Sequence, residues 1–347
     1  MRVLVTGAGG LIGSEAASHW IKKGCQVFGI DNNTRQDLFG PGGNVLPVVA
    51  SLKKNENYQH INESITNREI MMGVLRGVAP DVVLHAAAQP SHDKAADIPF
   101  QDFNINAVGT LNMLEATRQH CKDAVFIHVS TNKVYGDAPN HLPLVEHEKR
   151  YDFADDQYTQ GISESFSIDQ SLHSLFGASK ASADLVAQEY GRYFDMNVGV
   201  FRGGCLTGPQ HAGVELHGFL SYIVKCAVEG KKYRIFGYKG KQVRDQIHCR
   251  DVISCFERFI SSPKKGAVYN LGGGKPNSAS IIETIEKIES LTGHRLDHEY
   301  VDKNRVGDHI CYYTDMSKFK RDYPGWDIST SLDDIILEIF DSAKVKR

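Results

Sequence analysis

The chain of 347 residues is long enough to bury a large core, as one big domain or two closely joined ones. Hydrophobic content of 41% and charged content of 23% are ordinary for a globular protein, and a net charge of −3 without a long basic run argues against a nucleic-acid or anionic-membrane surface. No apolar stretch approaches the roughly 18 residues that span a bilayer, and the first strand begins at Arg2. The seven scattered cysteines form no C-x-x-C pair, so reduced thiols in a cytoplasmic protein are expected, with no metal site.

An apolar strand, Val3 to Val5, leads into Thr6-Gly7-Ala8-Gly9-Gly10-Leu11-Ile12-Gly13 and then into a helix with Leu11, Ile12, Ala16, Ala17, Trp20 and Ile21 at helical spacing. Gly7, Gly10 and Gly13 form a G-x-x-G-x-x-G pattern. Such glycines permit a tight turn, bring backbone N–H groups close to a pyrophosphate and let helix and strand pack. The helix N-terminus adds partial positive charge. A second strand, Cys25 to Ile30, ends at Asp31, 18 residues beyond Gly13 and close to the roughly 20 expected of a carboxylate that binds an adenosine ribose. That carboxylate would repel a 2′-phosphate, which favours NAD over NADP.

A polar, glycine-bearing loop follows to about Asn44, then a short strand near Tyr58 to Ile61 and a helix from Asn67 to Leu75. Asp81 to Ala88 is a continuous apolar run of the kind found in buried parallel strands. Asn106 to His120 reads as a helix, Ala124 to Val129 as a strand, Ala178 to Phe194 as a long helix and Asn197 to Phe201 as a sixth strand. This alternation predicts an α/β fold: a doubly wound parallel sheet of the Rossmann type, with ligands beyond the carboxyl ends of its strands. From Leu206 the pattern breaks up. The expected division is a cofactor domain over 1–205, rejoined by 236–270, and a smaller α/β substrate domain from 206–235 and 271–342.

Two further segments stand where chemistry is expected. They are Ser130-Thr131-Asn132-Lys133-Val134-Tyr135-Gly136-Asp137, after the fifth strand, and Phe176-Gly177-Ala178-Ser179-Lys180, at the head of the long helix. With the glycine loop, Ala86-Ala87-Ala88, Asn106-Ala107-Val108-Gly109-Thr110, Gln242-Val243-Arg244-Asp245 and Arg305-Val306-Gly307-Asp308, the chain resembles the extended short-chain dehydrogenase/reductases, specifically their nucleotide-sugar epimerases and dehydratases. The run Thr131 to Asp137 is most similar to the branch that epimerises CDP-linked deoxyhexoses at C2; the alternative within the family is another nucleotide-sugar oxidoreductase, a C4 epimerase or a dehydrogenase acting on a GDP or UDP sugar.

The resemblance implies transient oxidation of a sugar by NAD. By match, Lys180 takes the place of the lysine that hydrogen-bonds the nicotinamide ribose, and Thr131 that of the residue donating to the reacting oxygen. Gly7, Gly10, Leu11, Ile12, Asp31, Asn32, Ser64, Ile65, Ala86, Ala87, Ala88, Asn106 and Lys180 would hold the cofactor. Within that set Ser64 would hydrogen-bond the adenine amine and Ile65 pack on its ring. Arg244 and Arg305 would grip the diphosphate of the sugar nucleotide, a bidentate task suited to guanidinium. Asn132, Cys205, Gln210 and Asp308 would complete the substrate site, Cys205 replacing the usual asparagine. The partner implied is a nucleotide-diphosphate sugar, CDP-sugar favoured, and a homodimer or homotetramer is expected.

The catalytic tyrosine of the family falls at Phe176, and a phenyl ring has no proton to exchange. Three readings stay open: a base elsewhere, with Lys133, Asp169, His173, Cys205 and His211 as the polar candidates; a tyrosine deliberately replaced; or a protein that binds without turnover. Asn132-Lys133 stands where the family's 4,6-dehydratases carry Asp-Glu, the acid and base of dehydration. Dehydration by that route is therefore disfavoured.

Overall fold

The computed structural model describes residues 1–209, 218–304 and 307–345. Its strands in chain order are β1 (Arg2–Thr6), β2 (Gln26–Ile30), β3 (Tyr58–Ile61), β4 (Val82–His85), β5 (Val125–Thr131), β6 (Leu144–Glu146), β7 (Tyr151–Phe153), β8 (Val198–Gly203) and β9 (Cys205–Thr207). They continue with β10 (Tyr233–Phe236), β11 (Val243–His248), β12 (Ala267–Leu271), β13 (Ser278–Ser280), β14 (His298–Val301) and β15 (Cys311–Tyr312). By contact the chain divides into two units: 1–134, 174–202 and 252–269 form the first, and 135–173, 203–251 and 270–347 the second.

The first unit is built on a seven-stranded sheet in the order β12-β8-β5-β4-β1-β2-β3, with β1 parallel to β2 and β4, β2 to β3, and β4 to β5. This is the doubly wound Rossmann sheet expected from the βα alternation. Strand order reverses at β1 and β4, so a ligand site opens beyond their carboxyl ends. Leu4, Val83, Phe126 and Val200 on the strands meet Met71, Leu75, Met113, Leu114 and Ala187 on the flanking helices, forming one apolar core.

Local chemistry moves several boundaries. The expected Asn67 helix runs Arg68–Val78, with Asn67 outside it as a cap whose side chain accepts from Ile70 N, and Ala79 ends it at φ 42°. The polar loop after Asp31 contains a short helix, Thr34–Phe39. Asn104–Val108 is a wide π-turn entering the helix Gly109–His120. The long helix begins earlier than expected, Ser174–Tyr193, because Ser174 Oγ accepts from Gly177 N at 3.3 Å. Phe176 therefore lies in its first turn. β5 extends through Thr131, which places that hydroxyl at the strand's last residue.

In the second unit β11 is the central strand. It pairs antiparallel with β13 and parallel with β15 and β9. Helices Phe219–Glu229, Ile281–Thr292 and Leu332–Val345 share an apolar cluster of Ile223, Val224, Ile285, Ile288, Ile335 and Ile336. Asp245, fully buried, accepts from Gly274 N (2.9 Å) and Thr314 N (3.0 Å) and so ties the loop after β12 to β11. Residues 135–173, which the sequence analysis attaches to the cofactor domain, belong to this unit. Tyr151 N donates to Lys241 O at 3.0 Å and Ile162 bridges Thr314, so that segment's backbone hydrogen bonds are made here.

Two glycines of the first unit make the packing testable. A Cβ on Gly13 would lie 2.0 Å from the Gly7 carbonyl oxygen, whereas one on Gly73, inside the Arg68–Val78 helix, would meet nothing within 4 Å. Gly13→Ala is expected to lower the unfolding free energy by about 2 kcal/mol or more, and Gly73→Ala to raise it by about 0.5–1 kcal/mol. Urea unfolding midpoints read both signs.

Candidate active site

In the first unit the turn after β1 has the geometry of a phosphate cradle. Gly7 sits at φ 68°, and a Cβ there would lie 2.9 Å from Ala87 N, against the segment that follows β4. Gly7 N donates to Ile30 O at 2.8 Å and Gly10 N to Gly7 O at 2.9 Å, so the turn is closed by its own backbone before the helix Leu11–Lys22 starts. Leu11 and Ile12 open that helix, Ile12 facing the core. Asp31 stands across from it. Its Oδ2 accepts from Gly9 N and its Oδ1 from Asn33 N, both at 2.8 Å. A carboxylate has about four acceptor positions, so this one is oriented by the backbone with capacity left for a vicinal diol. The close glycine turn, the helix N-terminus and the oriented carboxylate fit a dinucleotide.

The remaining expected cofactor residues serve varied ends. Asn32 Oδ1 caps the next turn through Thr34. Ser64 Oγ pairs with Thr66 at 2.8 Å. Ile65 is a core residue, its side chain lying where a Cβ on Gly109 would strike it, and so faces the Gly109–His120 helix. Ala86, Ala87 and Ala88 line the exit of β4, with Ala87 N donating to Thr6 Oγ1. Asn106 is buried and hydrogen-bonded inside the protein. Its Oδ1 accepts from Gln89 N at 2.9 Å, and its Nδ2 donates to Gln89 O, Asp102 Oδ1 and Ser179 Oγ. Its side chain thus holds the loop after β4 against the Ser174–Tyr193 helix.

Lys180 is buried on that helix and its Nζ donates to Val129 O at 2.9 Å, which sets the ammonium beside the end of β5, two residues from Thr131. Burial lowers its pKa from 10.5 to about 8, against the opposing pull of Asp184 and Asp102. Thr131 Oγ1 accepts from Lys133 N and makes only a long, 3.4 Å bond to Asn132 Oδ1, leaving its proton accessible to a stronger acceptor. Asn132 is buried and Lys133 partly so, within the turn Asn132–Tyr135. Phe176 is only 7% exposed, one helical turn before Lys180, with its carbonyl over Ser179 Oγ.

Beneath these groups lies a buried polar frame that sequence reasoning did not single out. Asp184, one turn after Lys180, accepts from Ser130 Oγ (2.6 Å), from Gln188 Nε2 (2.7 Å) and from Arg202 Nε and Nη2 (3.0 and 2.9 Å). Asp102 accepts from Ser179 Oγ and Gln89 Nε2, and burial raises its pKa. His85 is neutral, burial lowering its pKa to about 3. Thr110 gives its proton to Asn106 O at 2.6 Å and so accepts from His85 Nε2, which leaves Nδ1 to accept from Thr6. The i, i+4 spacing of Lys180 and Asp184 was the one signal in the sequence that could have found this frame.

In the second unit Arg244 sits on β11. Its Nη1 donates to Val243 O at 2.7 Å, and its Nη2 lies 3.4 Å from Asp308 Oδ1. The structure therefore brings together two residues that the sequence proposed separately for substrate. Cys205 is part of β9, opposite Gln246. His173 Nδ1 contacts Ser171 O at 2.8 Å and Asp169 is exposed. Gln210, His211 and Arg305 lie outside the described residues.

Residues 3–272 match the NAD dependent epimerase/dehydratase family. Along 98% of both chains the protein is 32% identical to CDP-paratose 2-epimerase of Salmonella typhi. It is 28% identical to dTDP-glucose 4,6-dehydratase of Salmonella typhimurium, over 94% of this chain and 88% of that one. UDP-glucuronic acid 4-epimerase of Bacillus cereus, solved with UDP-glucuronic acid and NAD, superposes over the full length of both chains with a TM-score of 0.80 at 27% identity. A tyrosine-to-phenylalanine mutant of that enzyme, solved with NAD and a fluorinated UDP-sugar, gives a TM-score of 0.81, also at 27% identity and full coverage. The chain belongs to the NAD dependent epimerase/dehydratase family of nucleotide-sugar enzymes, and NAD is its cofactor.

Proposed function

We propose that the protein epimerises a nucleotide-activated hexose through a transient ketone, with C2 of a CDP-linked 6-deoxy- or dideoxyhexose as the reacting centre. The end-to-end likeness to a CDP-paratose 2-epimerase carries this reading. The turn after β5 supports it. Asn132 is a buried amide whose Oδ1 faces the Thr131 hydroxyl, and Lys133 follows it, so this turn has neither the carboxylic acid nor the carboxylate base of the family's 4,6-dehydratases.

NAD, when bound, supplies the two-electron acceptor and then the donor for the sugar carbon. Gly7, Gly10 and the N-terminus of the Leu11 helix would hold its pyrophosphate and Asp31 its adenosine ribose. Thr131 would donate to the sugar oxygen that becomes the carbonyl. With no phenol at 176, Lys180 is the group beside Thr131 that exchanges a proton near neutral pH, and in its neutral form it would accept the proton of that sugar hydroxyl. Arg244 would leave Asp308 for the diphosphate. Leu111 and Leu185 leave apolar surface on their helices, which supports a homodimer or homotetramer. No helix among the described residues is long and apolar enough to cross a membrane.

A second reading, binding without turnover, is favoured by Phe176 itself. The fluorinated UDP-sugar and NAD bound to the Bacillus cereus tyrosine-to-phenylalanine mutant show that such a replacement is compatible with both ligands in that protein. Incubation with CDP-, GDP- and UDP-hexoses and their 6-deoxy forms separates the readings. A CDP-sugar isomer formed without net reduced cofactor is expected; binding with no product would leave the second reading. Phe176→Tyr is expected to change kcat less than tenfold, and a gain of orders of magnitude would show that residue 176 is the missing base.

The pH dependence follows from Lys180. If the neutral amine is the base, the initial rate rises about tenfold between pH 7 and pH 9 as the ammonium near pKa 8 loses its proton. A rate that falls over that range would mean that Lys180 acts as a cation. Because its folded pKa is below the unfolded value of 10.5, burying the charge costs stability below pH 8, about 3 kcal/mol at pH 7, and the cost fades as pH rises toward 10.5. Lys180→Met is expected to abolish turnover and raise the unfolding free energy at pH 7 by about 1–3 kcal/mol. That advantage should shrink between pH 8 and 10.5 in parallel denaturation curves.

A further inference from the structure

Gln246 lies in β11, two residues beyond Arg244. Side chains alternate along a strand, so Arg244 and Gln246 share one face and Asp245 occupies the other. The two faces differ in how their polar atoms are satisfied. Asp245 is bonded by the backbone N–H groups of Gly274 and Thr314. The carboxamide of Gln246 is only 2% exposed, and among the described residues neither its Oε1 nor its Nε2 has a hydrogen-bond partner. Buried amides are nearly always paired, because water is lost and nothing replaces it. The adjacent parallel strand sets Cys205 directly opposite Gln246, on the same face, where a thiol is only a weak hydrogen-bonding neighbour.

Gln246 thus holds an unpaired donor and an unpaired acceptor on one rigid strand, about 7 Å of backbone from Arg244. We infer that Gln246 contacts the ligand: its Nε2–H donates to, and its Oε1 accepts from, a sugar hydroxyl next to the diphosphate gripped by Arg244. This rests on the reading that the second unit takes a nucleotide-diphosphate sugar. A phosphoryl oxygen only accepts and would leave Oε1 unpaired. A hydroxyl both donates and accepts, and so completes the amide. The hydroxyl belongs either to the ribose or to the hexose.

The test is Gln246→Met, equal in length and without polar side-chain atoms able to take both roles. Calorimetric titration of the full chain with CDP and UDP, and with CDP-glucose and UDP-glucose, reads the affinity, and thermal unfolding without ligand reads the fold. The expected result is an unchanged or raised melting temperature with affinity weakened tenfold or more. Loss for the diphosphates and the sugar nucleotides alike assigns the ribose; loss for the sugar nucleotides alone assigns the hexose. Cys205→Asn added to Gln246→Met, which sets an amide at the adjacent register position, should recover part of the affinity. Unchanged affinity for every probe overturns the inference. A lowered melting temperature with unchanged affinity does so too, as does failure of both Gln246→Met and Gln246→Leu to fold, since either would mean that the amide serves the protein's interior. If the unaltered protein binds none of the four probes, the nucleotide-sugar reading itself fails, and this inference with it.

Discussion

The part of the first unit that holds Thr131 and Lys180 depends on one buried carboxylate. Asp184 joins the Ser174–Tyr193 helix to Ser130 at the end of β5 and to Arg202 at the end of β8, and its own turn is reinforced by Gln188. Arg202 and Asp184 are both almost fully removed from water. Such a pair is weak evidence of net stabilisation, but breaking it costs about 3–5 kcal/mol, because one charge is left buried alone. The constraint is therefore geometric. Thr131 follows Ser130, and Lys180 precedes Asp184 by one turn. The relative position of hydroxyl and ammonium is set by a bonded frame and not by the side chains themselves.

A second frame, around Asp102, performs the same service at the head of the helix. Gln89, Asn106 and Ser179 close a network in which the donors and acceptors of the amides are used, and a fully satisfied polar network inside a protein is stiff. Ser179 lies between Phe176 and Lys180, so this network holds the turn that carries the phenyl ring. Position 176 offers no ionisable group, and its turn is bonded into the frame around it. That combination is what makes Lys180, with its pKa displaced toward neutrality by burial, the natural place to look for proton exchange.

The second unit divides its labour across a single strand. One face of β11 is structural, with Asp245 stitched to the glycine-rich loop after β12, where a Cβ on Gly272 or Gly273 would strike Asp245, Thr314 or the strand itself. The other face presents Arg244 and Gln246, whose polar ends are poised for exchange: one is held by a 3.4 Å ion pair with Asp308, the other is unpaired. A strand with period two can do both at once.

Much of this was written locally in the chain. The glycine spacing, the carboxylate after β2 and the βα alternation depend on neighbours within a few residues or on a repeating hydrophobic period, and these predicted the Rossmann sheet and NAD, while the family and the place of Lys180 came from a resemblance of motifs. Even there, hydroxyl and amide caps shifted the helix ends, because a single side-chain hydrogen bond decides where a helix starts. What the sequence could not supply was anything set by pairing across distance. The sequence does not show that the Asn106 amide bonds Gln89, Asp102 and Ser179. Nor does it show that the absence of a side chain at Gly109 leaves room for Ile65. Segment 135–173 follows β5 in the chain but makes its backbone bonds with 241 and 313–315. Gln246 is an ordinary strand residue in one dimension, and becomes a candidate ligand contact only when burial removes water and no protein group takes its place. Local periodicity predicted the sheet, and the glycine turn with Asp31 pointed to NAD; which polar atoms remain available to a ligand was decided only by the three-dimensional satisfaction of hydrogen bonds.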